Sequence, residues 1–129
     1  EVTLCGPSTL VPPFAEELGV KVNYNVDEVI EWADAINVLR IQRERMKGGL
    51  LPSIREYRNL FGITKDRLSK HKKEIVIMHP GPMNRGVEID SVIADSDQAI
   101  ILDQVLNGVA SRMAILYLLL GGKPEEESS

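Results

Sequence analysis

Cysteine is almost missing from this sequence: Cys5 stands alone among 129 residues. That excludes an internal disulfide and any cysteine-based zinc site, and it fits a reducing, cytoplasmic setting. Aromatic residues make up only 5% of the chain and gather nowhere with basic ones. Together with a net charge of −4, this argues against a nucleic-acid surface. No apolar run approaches the ~20 residues needed to cross a bilayer. The longest lies around Met113 to Leu120, and no signal-peptide pattern is read. No internal repeat or linker interrupts the chain. The sequence also opens without an initiator methionine. Glu1-Val-Thr-Leu-Cys5-Gly6 already reads as a strand ending at a glycine, so the expectation is a fragment of a longer polypeptide.

What is present suffices for one domain with a real core. Val2 to Cys5 reads as a first strand, followed by the turn Gly6-Pro7-Ser8-Thr9. Ser8 or Thr9 is better suited to capping than to holding a phosphate, since no Arg or Lys stands beside the pair. Pro12-Pro13 suits the opening turn of a helix from Phe14 to Leu18, which Gly19 ends. Val20 to Tyr24 alternates like a half-buried strand. Asp27 is expected to cap a helix over Glu28 to Ala33, with Val29, Ile30 and Ala33 on one face. Ala35 to Leu39 is a third strand. Lys47 to Pro52 resembles a mobile surface loop, with two glycines and a proline. Ser53 with Glu56, and then Thr64, mark the starts of two short helices, to Leu60 and to His71. A long helix is expected over Gln98 to Leu120, with Ile101, Val105, Val109, Met113, Leu116 and Leu120 at helical spacing and a weak point at Asn107-Gly108. Lys123 to Ser129 is polar and acidic, so the domain is drawn over residues 1–121 with a tail at 122–129. Strands alternating with helices mean an α/β fold with a parallel sheet and right-handed crossovers.

Two stretches carry candidate chemistry. Ile75 to Met78 is a continuous apolar run, short enough for a buried strand. His79-Pro80-Gly81-Pro82 follows and can continue neither sheet nor helix, because prolines lack an N–H and constrain the residue before them. Such a loop offers carbonyl oxygens: neighbouring backbone donors cannot use all those of Pro80 and Gly81. In an open parallel sheet, ligands sit beyond the carboxyl ends of strands. The loop therefore suits a ligand bearing N–H donors, an amide or an amine, although a plain rigid turn would use the same residues. A cis Gly81–Pro82 bond is expected, since the turn must reverse the chain while leaving carbonyls free.

The second stretch, Arg40-Ile-Gln-Arg-Glu-Arg45, leaves the end of the third strand. If it stays extended, Arg40 and Gln42 share a face. If it turns helical, Arg40 and Glu44 become neighbours. Either way Glu44 could orient the guanidinium, which is suited to gripping a carboxylate or phosphate in two-point fashion. Gln42 could both donate and accept beside it. A solvated charged segment is the competing reading.

Leu39-Arg-Ile-Gln-Arg-Glu-Arg45 and Met78-His-Pro-Gly-Pro-Met-Asn-Arg85, with the closing helix Gln104-Val-Leu-Asn-Gly-Val-Ala-Ser-Arg112-Met-Ala, resemble the catalytic chain of the aspartate carbamoyltransferase family. The resemblance covers Glu1 to about Gly121, the C-terminal, aspartate-binding portion. Ornithine carbamoyltransferase has a Cys in the His-Pro loop and a different amino-acid motif, and neither is seen here.

The resemblance implies a three-layer, Rossmann-like parallel sheet with flanking helices, lacking its first strand. It implies transfer of the carbamoyl group of carbamoyl phosphate to L-aspartate, giving N-carbamoyl-L-aspartate and phosphate in pyrimidine biosynthesis, with no metal or organic cofactor. Arg40 and Gln42 would then bind aspartate. Pro80 and Gly81 would hold the carbamoyl NH2 and the arriving amine through their carbonyls, with Pro82 fixing the turn. The family's carbamoyl-phosphate domain, a central strand carrying another aspartate-binding arginine, and the histidine that polarises the carbamoyl carbonyl have no counterpart in this sequence. His79, before a proline at a strand end, is read as structural. Partners implied are the rest of the polypeptide and sister subunits of a homotrimer, whose sites lie between subunits. The alternatives are a non-catalytic amino-acid-binding or carbamoyltransferase-docking module, or a plain α/β domain.

Overall fold

A computed structural model describes residues 1–42, 49, 53–71 and 73–121. Its elements are strands β1 (Thr3–Cys5), β2 (Lys21–Asn23), β3 (Ala35–Asn37) and β4 (Val76–Met78), with helices α1 (Val26–Trp32), α2 (Ile54–Phe61), α3 (Lys65–Leu68), α4 (Ser91–Ala94) and α5 (Ile101–Leu119). A 3-10 turn, Ala15–Leu18, stands where a first helix was expected. Phe14 enters it at φ 61° and Gly19 leaves it at φ 78°.

The α/β class with parallel strands holds, but the sheet is divided. β1 pairs in parallel with β2, Leu4 opposite Val22, and β3 pairs in parallel with β4, Ile36 opposite Ile77. Among the described residues nothing bridges β1 to β3. The outer edge of β4 is partly closed: the Ile77 N–H donates to the Gln98 carbonyl, and the Ile100 N–H donates to that of Ile77. One core nonetheless spans the molecule, with Ile30, Val38, Ile63, Ile75, Ile77, Ile89 and Ile93 packed together and Cys5 against them. Full burial of one such side chain is worth about 1.5–3 kcal/mol.

Local signals explain most of the elements. The Asn25 side chain, not Asp27, caps α1 by accepting the Asp27 N–H. The helix starts two residues earlier than expected, at Val26, and Asn25 Nδ2 also donates to Glu28 Oε1 at 3.0 Å. Val29, Ile30 and Ala33 are buried, as their spacing predicts. Ser53 caps α2 through the Glu56 N–H, and Thr64 caps α3 through the Arg67 N–H. α3 is a single turn rather than a helix to His71. The Arg67 guanidinium lies across this corner, with Nε 2.8 Å from the Asp27 carboxylate and two bonds to the Gly62 and Asn59 carbonyls.

Two burial expectations are corrected. Ile75 and Ile77 are buried, whereas Val76 is 41% exposed, so β4 is covered on one face only. On α5, Ile101 alone of the expected stripe is buried; Val105, Val109, Met113, Leu116 and Leu120 all face solvent. The helix runs unbroken through Asn107-Gly108, but it projects past the core, which ends at its first turn. No helix is long and apolar enough to cross a membrane, among the described residues. The surface loop expected at Lys47 to Pro52 lies outside the described residues except for Gly49, and the tail at 122–129 lies outside them altogether.

Candidate functional site

β3 and β4 are neighbours and point the same way, so the segments that follow them emerge together at one end of the pair. Past β4 the chain turns sharply: Gly81 sits at φ 61° and the Gly81–Pro82 bond is cis, as expected. A Cβ at Gly81 would stand 3.5 Å from the Val105 side chain of α5. Backbone conformation, more than space, therefore favours glycine here.

The turn is organised from inside by His79. Its ring is fully buried, and Nδ1 accepts the Gly81 N–H at 2.9 Å. That leaves the ring proton on Nε2, which faces Glu88 Oε1 at 3.4 Å. The His79 backbone N–H donates to Gln104 Oε1 on α5, at 2.8 Å. With these donors committed, no hydrogen bond between described residues occupies the carbonyl oxygens of Pro80 and Gly81. Pro80 and Pro82 are exposed and Gly81 half-buried.

Past β3, the Val38 N–H extends the pairing by donating to the Met78 carbonyl at 2.8 Å. Residues 38–42 belong to no helix. The side chains of Val38 and Ile41 are buried, while Arg40 and Gln42 flank Ile41 and remain half-buried. Burial along the segment does not alternate residue by residue, since Leu39 is 62% exposed between the buried Val38 and Ile41. Glu44 lies outside the described residues.

The two candidate segments are brought together, and the residue that joins them escaped the sequence reading. Asn84 donates from Nδ2 to the Ile41 carbonyl at 3.1 Å, across 43 positions of sequence. Its own N–H donates to Glu88 Oε1. Glu88 is wholly buried, and its Oε2 finds no hydrogen-bond partner among the described residues. Gln104 was also missed; its Nε2 faces Asn37 Oδ1 at 3.4 Å, so one amide touches the ends of both strands. A carboxylate between Val87 and Ile89 was the only available hint of Glu88. Burial and the Glu88 carboxylate push the nearby Tyr57 hydroxyl up to about 12.

No group of His, Cys, Asp or Glu side chains could hold a metal ion, among the described residues. A hollow of about 470 Å³ lies elsewhere, lined by Val11, Phe14, Val22 and Tyr24 among others, and includes none of the candidate residues. Among the described residues, the end of the β3–β4 pair carries Arg40 and Gln42 after one strand and the Pro80 and Gly81 carbonyls after the other. In general a guanidinium suits a carboxylate and a carbonyl oxygen suits an N–H donor.

Residues 11–119 match the family described as aspartate/ornithine carbamoyltransferase, Asp/Orn binding domain. The aspartate carbamoyltransferase catalytic subunit of Gemmatimonas aurantiaca is 58% identical over 125 residues, covering 97% of this chain and 39% of that protein. That of Syntrophotalea carbinolica is 53% identical over 129 residues, covering the whole chain and 41% of that protein. The chain thus spans about two fifths of the curated relatives it matches. Among solved structures, aspartate transcarbamoylase from Trypanosoma cruzi in complex with carbamoyl phosphate and aspartate superposes with a TM-score of 0.70 at 26% identity, over 90% of this chain and 40% of that one. An ornithine carbamoyltransferase from Pyrococcus furiosus reaches a TM-score of 0.76 at 22% identity, over 95% of this chain and 42% of that one, and shares the fold.

Proposed function

The chain belongs to the aspartate/ornithine carbamoyltransferase family through its Asp/Orn binding domain, and from that premise we propose that it supplies the aspartate side of an aspartate carbamoyltransferase. The whole enzyme would transfer the carbamoyl group of carbamoyl phosphate to L-aspartate, releasing N-carbamoyl-L-aspartate and phosphate for pyrimidine biosynthesis in the cytoplasm. Residues outside this chain would hold the phosphate and polarise the carbamoyl carbonyl, and sister chains of a homotrimer would complete the site.

The observation that carries this reading is the meeting of the Arg40–Gln42 segment with the Pro80–Pro82 turn at one end of a parallel strand pair. Arg40 would hold a carboxylate of aspartate through its planar fork, and Gln42 would contact the same substrate. The open carbonyls of Pro80 and Gly81 would accept from the carbamoyl NH2 and from the incoming amine, keeping the amine nitrogen beside the carbamoyl carbon. The nitrogen lone pair then forms the new N–C bond as the C–O bond to phosphate breaks, and the proton the nitrogen gives up goes to the departing phosphate. Such a site gains rate chiefly by holding two reactants in line. A cationic Arg40 favours a dicarboxylic amino acid over a diamino one, which supports aspartate over ornithine.

The test is product formation by the full-length subunit carrying this sequence, with each amino acid supplied in turn. Carbamoyl-aspartate from aspartate, and little or no citrulline from ornithine, is the expected result. Equal use of ornithine, or no transfer to aspartate, would overturn the proposal.

A further inference from the structure

The geometry points to Asn84 as a positioning residue that sets how well the site grips its amino-acid substrate. This rests on the reading of Arg40 and Gln42 as the aspartate-binding pair and adds to it the group that holds them in place. The Ile41 carbonyl lies between those two residues, on a segment that belongs to no helix or strand. Its side chain is 8% exposed, which anchors one face of the segment in the core. On the backbone, Asn84 Nδ2 donates to that carbonyl at 3.1 Å. Only the NH2 end of the amide can face a carbonyl oxygen, so the orientation of Asn84 is set. Rotation of the Ile41 peptide would swing Arg40 relative to Gln42, and this bond opposes it.

Asn84 is in turn held from below. Its N–H donates to Glu88 Oε1, the same oxygen that faces His79 Nε2, and His79 takes the Gly81 N–H. One run of contacts therefore leads from the Pro80–Pro82 turn, through two fully buried side chains, to the peptide between Arg40 and Gln42. The turn and the amino-acid grip are held in register by a residue that need not touch either substrate. A misplacement of the grip by a fraction of an ångström affects reaction geometry without unfolding anything.

The full-length enzyme is compared with Asn84→Ala and Asn84→Asp, and with Arg85→Ala as a neighbouring control. Arg85 pairs with Asp95 on the surface, away from the Asn84–Ile41 bond. Asn84→Asp keeps the size of the side chain but turns an acceptor toward the Ile41 carbonyl. Both Asn84 variants are expected to raise the aspartate KM about tenfold. Their thermal midpoint and carbamoyl-phosphate KM should stay close to those of the parent, as should every constant of Arg85→Ala. An unchanged aspartate KM in both Asn84 variants overturns the inference. So do equal losses for the two substrates, or loss of folding in both, since either result makes Asn84 an ordinary structural residue. A parent enzyme that fails to use aspartate removes the functional reading and this inference together. A parent that uses aspartate, with Asn84 variants that match it, removes this inference alone.

Discussion

Gln104 accepts the backbone N–H of His79 at 2.8 Å, so the first turn of α5 is pinned to the residue where β4 becomes the proline turn. Without that acceptor, the N–H of a buried residue would be left unsatisfied, which costs about 1–3 kcal/mol. Gln104→Leu is therefore expected to destabilise the full-length protein by about that amount, measured by chemical denaturation. The His79 amide should also exchange faster with solvent. A variant as stable as the parent, with His79 equally protected, would show that another acceptor takes over.

Tyr57 gives a prediction in alkali. Its ring stacks on Phe61 with centroids 5.8 Å apart. Burial first, then the Glu88 carboxylate, raise its pKa from 10.0 to about 12. The unfolded chain releases this proton near the ordinary tyrosine value of 10.0, so between the two values the folded state binds more protons than the unfolded. Its contribution to stability is full below pH 10 and is lost as pH rises toward 12. Absorbance titration of the phenolates should contain a late component that Tyr57→Phe removes. A titration unchanged by that substitution would contradict the assignment.

The parts of the fold that were legible in the sequence are those fixed by neighbours in sequence. Ser53 and Thr64 could be read as caps because the amide they accept lies three residues on. The turn at Gly81–Pro82 could be read because proline acts on the residue before it. Asn25 was overlooked in favour of Asp27, although it accepts the Asp27 N–H and donates to the Glu28 carboxylate. The parts that were not legible depend on distant chain. Val76 looked like its buried neighbours, and the α5 stripe looked like a core face, because spacing says which residues share a face but not whether anything covers it. Within the site, Arg40, Gln42 and the proline turn announced themselves by chemistry at strand ends. Asn84 and Glu88 act across 43 positions or from a fully buried place, and a single sequence carries no signal of that pairing.

The uncovered surfaces lead to a prediction about the 129-residue chain produced alone. Leu106, Leu118 and Leu119 on α5 are 68%, 60% and 78% exposed, and β1 and β3 each show an edge unpaired among the described residues. Open edges and contiguous apolar side chains favour association. The chain alone is expected to self-associate in light scattering and to transfer no carbamoyl group. Leu106→Glu together with Leu119→Lys should lower the associated fraction. A monodisperse, active monomer would refute both statements.

The last prediction concerns Arg40 in the complete enzyme. It is half-buried at the end of the β3 segment, next to the carbonyl that Asn84 holds. A guanidinium–carboxylate contact left half-made costs about 2–5 kcal/mol, so Arg40→Ala should raise the aspartate requirement about thirtyfold or more. Arg40→Lys should recover only part of the loss, because an ammonium keeps the charge but cannot present two parallel N–H donors to one carboxylate. Carbamoyl-phosphate dependence should change little if, as proposed, its phosphate is held by residues outside this chain. Glu44→Ala should give a milder form of the same defect if Glu44 acts only by orienting Arg40. Steady-state kinetics with each substrate varied in turn separates these outcomes. If Arg40→Ala left the aspartate dependence intact, or harmed both substrates equally, Arg40 would not be the anchor of the amino acid.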